Sequence, residues 1–88
     1  MDDPKITFEH TVRELLKARS PALADAITSL GVEEQIWTVI DSLSLLDLVV
    51  SLEEHFKIAI QPVEVVPENF RTIAQIVRFL GKRTRRAE

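Results

Sequence analysis

The chain has 88 residues, a formal net charge of −3, two glycines and no cysteine. That length makes one domain with a modest core, and the missing cysteine excludes a disulfide framework and any Cys-based metal site. No apolar run reaches membrane-spanning length, and the N-terminal MDDPKITF lacks the apolar region of a signal peptide, so a cytoplasmic protein without membrane contact is expected.

Phe8, Val12, Leu15 and Leu16 share one helical face. They predict a first helix over about residues 5–18, started by Asp3-Pro4 and ended by Ser20-Pro21. Residues 21–41 then form a long connection with a short helical turn around Ala22–Ser29, pinned to the core by Leu23, Ile27, Leu30, Ile36 and Trp37. A second helix is expected from about Ser42 to Phe56. Leu45, Leu48, Val49, Leu52 and Phe56 follow the i, i+3, i+4, i+7, i+11 series of a buried stripe. Pro62 and Pro67 bracket a segment rich in β-branched Val63, Val65 and Val66, where at most a short third helix fits.

Thr72 and Gln75 have the spacing of a capping box for the last helix. Its buried stripe is Ile73, Ile76, Val77 and Leu80, and Gly81 suits the position just past its end. The expected fold is therefore all-α: a small four-helix bundle of three main helices and one short helix, with a long first loop. The ordered core would span about residues 5–81, followed by a basic, flexible tail over 82–88. That tail reads either as a contact for nucleic acid or an acidic partner, or as a solubilising terminus; the second reading is preferred.

Asp41-Ser42-Leu43 stands where a featureless segment gives way to the strongest amphipathic helix, SLSLLDLVVSLEEHF. Two readings are open. Ser and Asp are favoured N-caps, and Ser44 with Asp47 could form a capping box. Alternatively, Ser42 projects its hydroxyl from a helix N-terminus, where free N–H groups and the helix dipole favour a phosphate-linked group.

Leu43, Leu46 and Val50 lie roughly 100–160° from the core stripe and are bordered by Asp47, Glu53 and Glu54. Either the helix is central and buries both faces, or this strip docks a partner; docking is preferred in so short a chain. Residues 25–68 hold nine carboxylates against one base, Lys57, a net of −8. Such a surface repels nucleic acid and anionic membrane and attracts basic protein surfaces.

No enzyme site is readable. His55 lies about 20 Å along the helix from Ser42, too far for a Ser/His dyad. His10 and His55 read as surface or boundary residues, and Glu53-Glu54 as solvated carboxylates. There is no Gly-rich phosphate loop and no metal-ligand spacing.

These residues resemble the acyl carrier protein family. DSLSLLDLVVSLEEHFKIAI is similar to its signature: Asp-Ser-Leu, a helix ending Leu-Glu-Glu-x-Phe, then an apolar exit. PENFRTIAQIVRFL is similar to the loop and last helix of these domains, particularly peptidyl and polyketide-type carriers. The resemblance covers residues 41–80 well and residues 6–40 loosely. It implies a 4′-phosphopantetheine arm, taken from coenzyme A, on Ser42, with Asp41 before it as the family pattern requires. It also implies partner-facing positions at Leu43, Leu46, Asp47 and Val50, to which the charge map adds Glu53 and Glu54.

The chain departs from the family in four ways. Val39 stands where a Gly usually precedes the serine by three; QIWTVI is unusually apolar; the segment from Ile60 to Phe70 is longer than in typical fatty-acid carriers; and the chain is less acidic overall than those carriers. These departures point to a specialised carrier.

The expected function is a stand-alone, monomeric, non-catalytic carrier of an acyl or aminoacyl thioester. It would serve fatty-acid-like, polyketide or other specialised biosynthesis. Its partners would be a phosphopantetheinyl transferase and acyl or aminoacyl ligase and synthase enzymes. Two alternatives belong to other classes: a helical adaptor without cofactor, and a small helix-turn-helix DNA-binding protein. The acidic central helix argues against the latter, since a recognition helix must approach phosphates.

Overall fold

The computed structural model describes the backbone of residues 4–85 and the side chains of residues 7–84. Five α-helices appear among them: α1 (Pro4–Arg19), α2 (Ala24–Ser29), α3 (Ser42–Phe56), α4 (Pro67–Phe70) and α5 (Ile73–Arg85). Three 3-10 turns lie between, at Pro21–Leu23, Ile36–Thr38 and Pro62–Glu64. The expected all-α bundle is present, with α1 packed against both α3 and α5. The turn expected around Ala22–Ser29 is a helix in its own right from Ala24, so two short helices accompany the three long ones. Asp3, expected at the start of the first helix, lies outside the described residues.

Val12 and Leu16 are fully buried on α1, with Phe8 and Leu15 packed at the margin of the core. Lys17 and Arg19 in its last turn complement the helix dipole. Ser20 leaves the helical region, and Pro21 opens the next turn. Arg13 then ties α1 to α2 by donating from Nη1 to the Ile27 carbonyl at 2.7 Å.

The long connection to α3 is fastened at several points. The Gly31 N–H donates to Glu34 Oε1 at 2.6 Å. The Ile36 N–H donates to the Arg71 carbonyl at 2.7 Å, and the Ala74 N–H donates to the Val32 carbonyl at 3.0 Å. Gln35 and Thr72 form an isolated antiparallel bridge. Ile27, Leu30, Ile36 and Ile40 are buried, and Leu23 packs at the margin. Trp37 departs from expectation: it is not in the core but 40% exposed. Ile36 and Ile40 occupy the inward positions of this turn, one helical repeat apart, and Trp37 falls off their stripe.

On α3 the expected stripe holds: Leu45, Leu48, Val49 and Leu52 are buried. Phe56 is half-buried, edge-to-face with Phe8 at 5.4 Å. The helix ends at Lys57, whose φ of 58 is left-handed and whose N–H donates to the Glu53 carbonyl. A non-glycine residue there costs about 1 kcal/mol. The Glu53 carboxylate stabilises this exit by accepting from the Ile60 N–H at 2.8 Å.

The capping box of α5 is as expected. The Gln75 N–H donates to Thr72 Oγ1 and the Thr72 N–H to Gln75 Oε1, both at 3.1 Å. Ile73, Ile76, Val77 and Leu80 are buried, joined by Phe79.

Gly81 does not end the helix, which continues to Arg85. The continuation has a cause: Arg83 reaches the α3–α4 connection. Its Nη1 donates to Glu64 Oε1 at 2.7 Å and Oε2 at 2.8 Å, and its Nη2 to the Ala59 carbonyl at 2.6 Å. The guanidinium also lies 5.7 Å from the Phe79 ring centroid. Residues 82–85, expected in the tail, are thus helical, and residues 86–88 lie outside the described residues. Glu64 is held below the usual carboxylate range by the Gln61 N–H and by Arg83.

Candidate functional site

Asp41 is the N-cap of α3. Its backbone is extended, and its Oδ1 accepts from the Ser44 N–H at 2.9 Å. The first helical bond runs from the Leu45 N–H to the Asp41 carbonyl. Hydrogen bonds to the Ser44 backbone N–H, then to the Ser44 hydroxyl, hold the Asp41 carboxyl below its ordinary value. It is therefore ionised at neutral pH.

The capping role belongs to Asp41, and Ser42 is the first residue inside the helix. Ser44 lies within the helix as the partner of Asp41, so the alternative box with Asp47 is not the cap. Ser42 is exposed, and no hydrogen bond among the described residues involves its hydroxyl. It stands at the N-terminal end of a 15-residue helix, where unsatisfied N–H groups point outward.

The second face of α3 is open. Leu43 is 73% exposed, Leu46 53% and Val50 45%. The three fall within about 60° of one another around the helix axis. Asp47 and Glu54 are exposed beside them. Glu54 also borders an open groove between α1 and α3 lined by Arg19, Ser51 and His55, where Arg19 Nε donates to Ser51 Oγ at 2.9 Å. Glu53 differs from its expected role: it is half-buried and engaged with the Ile60 N–H. Its position beside Leu46 is shared with a structural duty. His10 and His55 are exposed. No group of three or more His, Asp or Glu side chains among the described residues could hold a metal ion. No described helix is long and apolar enough to cross a membrane.

Residues 40–80 match the model of a family described as the phosphopantetheine attachment site. Over this stretch the chain is similar to the phosphopantetheine-binding family. The match begins at Ile40, immediately before Asp41, and ends at Leu80, in the last helix. Comparison with curated proteins and with solved structures returned no match. The family binds 4′-phosphopantetheine covalently, and its domains are carriers that work with separate enzymes, not catalysts themselves. The resemblance drawn from Asp-Ser-Leu and the Leu-Glu-Glu-x-Phe ending thus has independent support over the carrier stretch.

Two features of the site were not anticipated from the sequence. One is the outward Trp37, which the spacing of Ile36 and Ile40 could have signalled. The other is the engagement of Glu53, for which a run of two glutamates carries no signal.

Proposed function

We propose that the protein is a carrier that bears 4′-phosphopantetheine on Ser42 and presents an acyl or aminoacyl group to partner enzymes. The observation that carries this reading is the division of labour at the start of α3. Asp41 takes the cap, which leaves an exposed, unengaged Ser42 hydroxyl at the helix N-terminus inside the matched stretch.

The residues fit the group. The Ser42 hydroxyl is accessible, and a phosphodiester on it would lie at the positive end of the helix dipole. In attachment, Ser42 Oγ bonds to the phosphorus that bears the pantetheine of coenzyme A. The pyrophosphate P–O bond breaks, the nucleotide bisphosphate leaves, and the hydroxyl proton passes to a base on the transferase. The bound group supplies a thiol at the end of a flexible arm, able to hold cargo as a thioester. The chain's own part is positional: raised effective concentration of cargo and selective docking. Leu43, Leu46 and Val50, rimmed by Asp47 and Glu54, form the surface that fits basic partner enzymes, among them a transferase and the ligases and synthases that load and use the cargo.

Incubation with coenzyme A, magnesium and a broad-specificity phosphopantetheinyl transferase tests the reading. Intact mass should rise by one phosphopantetheine, mapped to Ser42, and Ser42→Ala should fold and stay unmodified. Modification at Ser44 or Ser51, or none with several transferases, contradicts it. The latter outcome would favour the adaptor without cofactor.

A further inference from the structure

We infer that Trp37 is a second docking anchor, so that a partner enzyme straddles Ser42 by gripping the Ile36–Thr38 turn on one side and the apolar strip of α3 on the other. The inference rests on the carrier reading and names how partners are recognised at that site.

Trp37 is the single tryptophan of the chain, and it is 40% exposed although the surrounding segment QIWTVI is strongly apolar. Its exposure is imposed by a fastened turn. Ile36 is fully buried, and its N–H is bonded to the Arg71 carbonyl at 2.7 Å. Its own carbonyl accepts from the Val39 and Ile40 N–H groups at 3.0 and 3.1 Å. The Thr38 hydroxyl donates to the Gln35 carbonyl at 2.9 Å. With the backbone held at both flanks, the indole is presented outward on a stiff mount. A rigid aromatic loses little conformational entropy when a partner covers it, which is why tryptophan is enriched among residues that dominate binding energy.

Reach and charge identify the occupant. Trp37 and Ser42 are five positions apart, so their Cα atoms are at most about 17 Å from one another. A standard interface covers about 800 Å² per partner, roughly 30 Å across, and can include Trp37, Ser42 and Leu46 together. Glu33, Glu34, Asp41 and Asp47 are exposed along this part of the chain. Arg71 is the one base among the described residues whose backbone bonds to the turn. A second copy of the chain would bring like charges together. The fitting occupant is a protein with a basic rim and a recess for the indole, where an arginine can both stack on Trp37 and pair with a carboxylate such as Glu33.

Because Trp37 is the sole tryptophan, its indole N–H gives one resonance in 15N-labelled full-length protein. The test titrates this sample with an unlabelled, broad-specificity phosphopantetheinyl transferase without coenzyme A, then measures loading kinetics of Trp37→Ala and Trp37→Phe against wild type. The expected result is that the indole signal shifts or broadens together with the Leu46 and Val50 amides. Trp37→Ala should raise KM about ten-fold with kcat little changed, and Trp37→Phe should recover part of the loss. If Trp37→Ala does not fold, the wild-type titration and Trp37→Phe decide. An indole signal that stays fixed while the α3 amides respond overturns the second anchor and leaves the carrier reading standing. If neither responds and Ser42 is never loaded, the carrier reading falls and this inference with it.

Discussion

Leu46 and Leu48 are the same side chain two positions apart on one helix, yet Leu48 is fully buried and Leu46 is 53% exposed. The residues around them repeat the contrast: Leu45, Val49 and Leu52 face the core, while Leu43 and Val50 face water. Residue type does not distinguish the two faces; direction around the helix does. One face of α3 holds the domain together, and the other is left apolar and exposed among the described residues. A monomer gains no stability from an exposed apolar strip, so the strip needs a reason outside the fold.

Substitutions that separate stability from partner recognition can break this comparison. The largest effect is expected from Leu52→Ala, which should cost about 2–5 kcal/mol through lost burial and a residual cavity. That is a large share of the stability of so small a domain, and thermal or denaturant melting reads it directly. If Leu52→Ala is silent while Val50→Asp unfolds the protein, the two faces are exchanged.

A second variant probes stability at the far end of the bundle. Arg83→Ala removes three hydrogen bonds that join the α3–α4 connection to α5. The Glu64 pair is partly exposed, so solvent screening trims its worth. A loss of about 1–2 kcal/mol is expected in denaturant unfolding. Truncation at Gly81 should therefore destabilise, whereas removal of residues 86–88 alone should leave Arg83 and the melting temperature in place.

On the open face, Val50→Asp and Asp47→Arg should stay within about 0.5 kcal/mol of wild type. Both should nonetheless slow loading by the transferase, since one interrupts the apolar strip and the other reverses a rim charge. A rate assay beside each melting curve sharpens the comparison; unchanged rates for both would remove α3 from the docking surface.

The smallest effect is on pH dependence. Asp41 and Glu64 are both held below their ordinary values by hydrogen bonds to backbone N–H groups, with Arg83 assisting at Glu64. A carboxyl with a depressed native pKa stabilises the fold above its unfolded value, about 4. That contribution fades as pH falls through the lower native value. Melting temperature should thus decline below about pH 4, and Asp41→Asn, which can still cap, should flatten part of that decline.

The helices of this protein were legible because their signals are local. Leu45, Leu48, Val49 and Leu52 announce a face by spacing, and Thr72 with Gln75 announces a start. The candidate site could be named for a related reason: Asp41, Ser42 and Leu43 are consecutive, and the carrier-like signature follows at once. What the sequence concealed depends on distant partners. Gly81 looked like a helix end because nothing nearby reveals that Arg83 will find Glu64 and the Ala59 carbonyl. Trp37 looked like core because apolar neighbours surround it; the spacing of Ile36 and Ile40 gives a local signal of the opposite, and the fastening of Ile36 to Arg71 fixes which side of the turn faces in. Glu53 looked like part of a charged rim, while its carboxylate closes the exit of α3.

The bond from the Ile36 N–H to the Arg71 carbonyl, with the Gln35–Thr72 bridge beside it, has a consequence for the order of events during synthesis. The turn that leads into Ser42 is tied to the segment that opens the last helix. Local helix can form as the chain emerges, but long-range pairing waits for its partner to exist. The approach to the serine therefore acquires its final shape only after residues beyond Thr72 have left the ribosome. An enzyme that reads that finished shape, and not the tripeptide alone, would act on completed chains and pass over nascent ones.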